Sequence, residues 1–165
     1  MAGLIPCIVA LSILCCLPVE GLEEVQADRI LVRKAARELV LYRQGKVLKS
    51  YRVALGRNPV DPKRRQGDRK TPEGRYTITG RNPSSAYHRA LRISYPSAAD
   101  RARARREGVS PGGDIMIHGL PNGQGYIGAA HRLTDWTDGC IAVTNEEIEE
   151  IWRLAPNGTP VLIEP

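Results

Sequence analysis

The chain has 165 residues, enough for one domain with a proper core and too few for two. Hydrophobic residues make up 42% and charged residues 25%, ordinary globular values, while 16 Gly and 12 Pro announce many turns. The formal charge of +6 suits an anionic partner, whether nucleic acid, anionic lipid or an acidic polymer. The excess is concentrated in Lys63-Arg64-Arg65 to Lys70 and in Arg101 to Arg106. Neither stretch is interleaved with aromatics as in single-strand binders, so the reading is solvated surface and no nucleic-acid partner.

The N-terminal run Leu4 to Leu17 is apolar apart from Pro6 and Ser12. It is too short to span a bilayer comfortably and fits the apolar region of a secretory signal. Val19-Glu20-Gly21 offers a small-x-small cleavage site, which predicts a signal over 1–21 and a mature domain over 22–165. Cys15 and Cys16 raise a lipoprotein alternative, weakened by Leu14 where a small residue is wanted; an uncleaved anchor is the third possibility. Cleavage leaves Cys140 as the lone cysteine, unable to form an internal disulfide in an oxidising compartment. That points to reactivity.

Beyond the signal, Asp28 to Lys34 alternates, with Ile30 and Val32 on one side, and reads as a short strand. Arg37 to Tyr42 reads as a second, Gln44-Gly45 as a hairpin turn, and Lys46 to Leu55 as a third with Val47, Tyr51, Val53 and Leu55 apolar. Gly56 to Thr71 is a long polar loop, a length typical of lids and binding loops. Gly74 to Thr79 and Arg89 to Ser94 are further strands. Ser97 to Glu107 reads as a polar surface helix with Ser97 and Asp100 in capping-box positions.

Pro111-Gly112-Gly113 breaks the chain before the Ile115-Met116-Ile117 strand, which ends on His118-Gly119. A glycine-rich connection from Leu120 leads to Thr137-Asp138-Gly139-Cys140 and a short buried strand over Gly139 to Val143. Thr144 and Glu147 form a second capping box, and Ile148, Ile151, Trp152 and Ala155 share one helix face. Pro160 to Ile163 is the last strand. The pattern is mainly β with one or two short helices, without regular βα alternation.

Taken singly, a cysteine after glycine on a β-run and a histidine at a strand end are most often structural. A zinc site from Cys140, His118 and His131 matches no standard ligand spacing. Together the residues say more. Ile117-His118-Gly119 followed by Thr137-Asp138-Gly139-Cys140-Ile141 resembles the catalytic domain of the L,D-transpeptidases, the YkuD family. Arg37 to Tyr42 with Gly45-Lys46, Val53 to Gly56, and Gly67-Asp68-Arg69-Lys70-Thr71-Pro72-Glu73-Gly74 extend the resemblance over roughly Ile30 to Ile163.

The resemblance implies a mixed, β-sandwich-like fold with Cys140 as nucleophile and His118 as general base and acid. It implies oxyanion support from the backbone at Gly139, Asp138 and Cys140, and Gly119 offering its carbonyl to the imidazole. Peptidoglycan stem peptides are the implied substrate, with an envelope protein as another acceptor. No metal or organic cofactor is implied, and the setting is the periplasm or cell envelope. Two residues depart from the family pattern. Asp138 stands where a histidine is usual, and Ala142 stands where an arginine is common. The acid opposes thiolate formation, unless His118 is protonated or Asp138 points away. The lost arginine removes a clamp for a substrate carboxylate, a task open to Arg132 or to a basic residue of 63–70, with His131 as a further binding candidate. Beside an imidazole, a thiolate–imidazolium form becomes accessible. Two alternatives stay open: a hydrolase using the same cysteine, and a peptidoglycan-binding module with a dead site.

Overall fold

The structure is a computed structural model that describes residues 25–165; the expected signal lies outside the described residues. Eight strands form one mixed sheet: β1 (Arg29–Arg33), β2 (Glu38–Arg43), β3 (Lys46–Arg52), β4 (Gly74–Ser85), β5 (His88–Ile93), β6 (Met116–His118), β7 (Ile141–Ala142) and β8 (Pro160–Glu164). Their order is β3-β2-β1-β8-β4-β5-β6-β7. The pairs β1/β8 and β6/β7 are parallel and the others antiparallel. Two α-helices, α1 (Ala98–Arg106) and α2 (Asn145–Leu154), and a kinked 3-10 segment over Gly125–Leu133 complete the chain. Among the described residues no helix is long and apolar enough to cross a membrane.

β4 is the hinge of the sheet. Its first residues, Gly74 to Thr77, pair with β8, and the rest pairs with β5 through two irregularities in register. Bulges bend a strand and raise its twist, so the two halves of the sheet fold toward each other. The chain leaving β3 then closes the gap. Ala54 bridges Ala142 and Gly56 bridges Thr137, so the two ends of the strand order meet beside the Cys140 turn. Strand alternation sends Ile30, Val32, Leu39, Leu41, Ile117 and Ile141 into the enclosed core, all fully buried. Burying one such aliphatic side chain stabilises the fold by roughly 1.5–3 kcal/mol.

The β2–β3 turn has φ of 51° at Gln44 and 76° at Gly45, the left-handed pair that a tight two-residue hairpin requires. β3 departs from expectation. Its register against β2 jumps from Leu41↔Lys49 to Tyr42↔Val47, leaving Leu48 as the extra residue. The bulge reverses which face Val47 occupies, and Val47 is 61% exposed while Leu48 packs on the core.

Both capping boxes form, Ser97 with Asp100 on α1 and Thr144 with Glu147 on α2. α2 buries Ile148 and Ile151 as its periodicity demands. α1 lacks an apolar stripe but is not a free surface helix. Its Asp100 is buried and takes hydrogen bonds from Ser97 and from the Tyr76 hydroxyl, with Arg103 3.1 Å away.

The long loop after β3 is tied down from within. Asp68 accepts the N–H groups of Arg64 (2.7 Å), Arg65 (3.0 Å) and Lys70 (3.1 Å), and the ammonium of the buried Lys63 (2.8 Å). Burial opposes charge on this carboxyl, yet those donors outweigh it and hold its pKa at about 2. Thr71 Oγ1 accepts the Gly56 N–H at 3.1 Å, and buried Lys34 binds Glu73 at 2.6 Å. The loop is therefore a packed wall whose Arg57, Arg69 and Lys70 border the Cys140 turn.

Candidate active site

Cys140 and His118 reach one cavity because of strand register. β6 and β7 are parallel, with Ile117 opposite Ile141 and His118 opposite Ala142. Side chains alternate, so if the isoleucines enter the core, His118 and Cys140 emerge on the other face. There they line a single cavity of about 370 Å³ with Arg57, Asn82, Tyr87, Asp114, Trp136 and Asp138. β6 is paired on both sides, to β5 and β7, which fixes the position of the histidine.

The imidazole is only 4% exposed. Its Nδ1 lies 2.7 Å from the Gly119 carbonyl oxygen, so Nδ1 carries the proton and Nε2 is the basic nitrogen left for the cavity. Gly119 has no room for a side chain: a Cβ there would sit 2.8 Å from Asn145 Oδ1. The Tyr87 and Trp136 rings flank His118, with centroids 4.5 and 5.8 Å away. Trp136 is set by its neighbours in the chain and beyond. Asp135 is gripped by Arg37 at 2.8 Å and by the Leu55 N–H, and the indole N–H donates to His131 Nδ1 at 3.3 Å.

The turn before Cys140 is equally constrained. Gly139 has φ 131°, and a Cβ there would lie 2.6 Å from the Lys70 carbonyl oxygen. Thr137 Oγ1 donates to the Cys140 carbonyl at 2.8 Å and accepts the Gly139 N–H at 3.1 Å. Gly139 is thus committed within the turn. The N–H groups of Asp138 and Cys140 have no partner among the described residues.

Charge is disfavoured on both reactive groups. Burial lowers the His118 pKa, against a smaller opposing pull from the Gly119 carbonyl. Burial also raises the Cys140 thiol, with the Met116 amide and Lys63 pulling down and Asp114 and Asp138 pushing up. The thiol rests on the Asp114 carbonyl at 3.5 Å. Both shifts favour the neutral forms, because burial penalises charge on the ring and on the thiol alike. Alkylation of Cys140 by iodoacetamide should accordingly climb through and beyond the ordinary thiol range as pH rises. A rate already at plateau below pH 7 contradicts a neutral resting pair.

Asp138 pairs with Arg57 at 2.9 Å and lies 4.0 Å from Arg69. Two sequence expectations land elsewhere. Arg132 pairs instead with Glu147 on α2, and it does not line the cavity. His131 is buried behind Trp136, outside the cavity lining, with its pKa pressed down to about 4 by burial and by Arg132. No group of three or more His, Cys, Asp or Glu among the described residues is arranged to hold a metal. Sequence reasoning missed Arg57, Tyr87 and Trp136. Long-range pairing gathers them.

The fold and this cleft define a mixed-β domain that presents a thiol and a tautomer-fixed imidazole in one cavity. Comparison with known proteins gives the family. The chain matches the L,D-transpeptidase catalytic domain, YkuD, over residues 27–163, and it belongs to that family. It is 30% identical over 137 residues to YqjB of Bacillus subtilis, covering 81% of this chain and 69% of that protein. It is 34% identical over 131 residues to YafK of Escherichia coli, covering 75% of this chain and 45% of that protein. Both carry provisional names as L,D-transpeptidases, and the chain spans about half the length of YafK. Among solved structures, Pgp2 of Campylobacter jejuni, named as a helical cell shape determining protein, matches with TM-score 0.64 and 27% identity. That match covers 86% of this chain and 48% of Pgp2.

Proposed function

We propose that this chain is an L,D-transpeptidase acting on peptidoglycan stem peptides through a Cys140 thioester. The observation that carries the proposal is the convergence of Cys140 and His118 on one cavity, with Gly119 holding Nδ1 and leaving Nε2 basic. Family membership and the cell-shape role in the name of Pgp2 support an envelope substrate.

In this reading His118 Nε2 takes the thiol proton as Cys140 Sγ attacks the carbonyl between the third and fourth stem residues. The oxyanion is met by the N–H groups of Asp138 and Cys140, a narrower set than the sequence expectation, since Gly139 is committed to Thr137. The C–N bond breaks and the imidazolium returns the proton to the departing amine, leaving a thioester. An incoming amine, from a second stem or an envelope protein, then gives its proton to Nε2 and attacks the thioester, releasing the thiol. Water in place of the amine makes the same site a hydrolase. The chain acts in the envelope after loss of residues 1–21 in this reading, and intact mass of the envelope-purified protein tests that cleavage.

The deciding experiment incubates the protein with isolated peptidoglycan and identifies products by mass spectrometry. New cross-links with released D-alanine are expected. Shortened stems without cross-links select the hydrolase, and unchanged material sinks both.

A further inference from the structure

Three charged side chains crowd the turn side of Cys140. Arg57 and Asp138 line the same cavity as the thiol. Arg69 and Asp138 line an adjoining depression with Gly112 and Gly113. Asp138 accepts from Arg57 Nη1 at 2.9 Å and stands 4.0 Å from Arg69 Nε. Other nearby charges are spoken for: Asp114 pairs with Arg92, Lys63 with Asp68, and Lys70 with Asp61. Neither Arg57 nor Arg69 has another charged partner among the described residues. Two guanidiniums thus share one carboxylate, and the cluster carries one unbalanced positive charge at the mouth.

This cluster is a poor stabilising device. The side chains of Arg57, Arg69 and Asp138 are 50%, 59% and 77% exposed, and exposed ion pairs add little to stability. The turn that carries Asp138 is already fixed by Thr137 Oγ1 and by the close packing of Gly139 on Lys70. Placement of Arg57, by contrast, is controlled. Its N–H donates to the Thr137 carbonyl at 3.0 Å, directly after the Gly56–Thr137 bridge. A rigidly based guanidinium with an easily exchanged partner suits a ligand carboxylate, which its fork can take with two parallel hydrogen bonds.

We propose that Arg57 and Arg69, with Asp138 between them, form a subsite for one carboxylate that reads the free α-carboxylate of the substrate's terminal residue, the residue whose amine departs from Cys140. The proposal rests on the reading of Cys140 as the acylated nucleophile. A terminal α-carboxylate lies one residue from the scissile carbonyl, and Asp138 lies two residues from the thiol. Binding it brings the cluster to two cations and two anions. Asp138 holds the arginines in place while the subsite is empty and competes mildly with the ligand. An internal peptide bond offers no such carboxylate, so the subsite restricts cleavage to the end of a stem. It also answers for the missing arginine at Ala142, in place of Arg132.

The test uses two stem tetrapeptides identical except that the terminal D-alanine is a free acid or a carboxamide. KM and kcat are measured for the protein, for Arg57→Gln/Arg69→Gln, and for Asp138→Asn. The carboxamide should raise KM about 10-fold or more with kcat little changed. The double variant should raise KM for the acid by a similar factor and erase the preference. Asp138→Asn should lower KM for the acid, an effect that a purely structural role does not produce. As a readout free of chemistry, N-acetyl-D-alanine is titrated into the Cys140→Ser protein with and without the double substitution, followed by NMR. Binding should weaken at least 10-fold without the arginines. Equal handling of acid and amide with Cys140 acylated overturns the subsite and leaves the reaction standing. Binding of N-acetyl-D-alanine through the arginines with no acylation of Cys140 by either peptide keeps the subsite and overturns the reaction. Binding indifferent to the arginines overturns the subsite in any case.

Discussion

Under the proposed function, Cys140→Ala should abolish covalent acylation by a carbapenem, and His118→Ala should slow it on the order of 100-fold or more, the scale of lost general-base catalysis. This is the largest functional effect expected of any substitution outside the nucleophile. Burial lowers His118 and raises Cys140, so both shifts favour the neutral pair, and in the proposed reaction proton removal accompanies attack. In that reading His118 takes the proton. Its Nδ1 is spent on Gly119, and the ring lines the cavity of the thiol. His131→Ala should cost far less, because that ring sits behind Trp136 and acts only through the indole. Stopped-flow acylation followed by intact mass compares the three variants. A crippled His131→Ala beside a near-normal His118→Ala means that the base is misassigned.

Asp68→Ala should unfold the loop wall that borders the Cys140 turn. It strips a partner from Lys63, whose side chain is 4% exposed, and removes the acceptor of three amide N–H groups. Leaving one member of a buried pair unmatched costs about 3–5 kcal/mol, which for a domain this size lowers Tm by on the order of 10 °C. Lys63→Met should cost less, since Asp68 keeps its amide donors. The sign with pH follows from the depressed carboxyl. Its folded pKa of about 2 lies below the ordinary 3.8, so its contribution is complete above that ordinary value and is lost as pH falls toward 2. Thermal melts of the three proteins between pH 7 and 2 check this. An Asp68→Ala melt matching that of the unsubstituted protein refutes the role given to the pair.

The hairpin at Gln44-Gly45, both capping boxes and the apolar face of α2 were legible because each depends on residues within a few positions. β3 starts at Lys46 as read but ends at Arg52, short of Leu55, and the bulge opposite Leu41 and Tyr42 that turns Val47 outward is announced by no local pattern. α1 was legible as a helix, while its anchorage through buried Asp100 to Tyr76 depends on a strand far away in sequence.

For the site, residue types and short-range pattern set the chemistry available: a cysteine behind a glycine, a histidine at a strand end, and the turn residues around both. Those are local facts, set by residue type and by the alternation of short strands. Tertiary structure decided what surrounds them. Arg57 meets Asp138 across 81 positions, where the chain leaving β3 closes onto the Cys140 turn, and this contact decides the partner of Asp138. Burial around His118 and Cys140 disfavours charge on both groups. The reason is the same in each case. A charge is governed by what solvates it, and in this domain the solvating or excluding groups arrive from strands that are neighbours only after the sheet has folded.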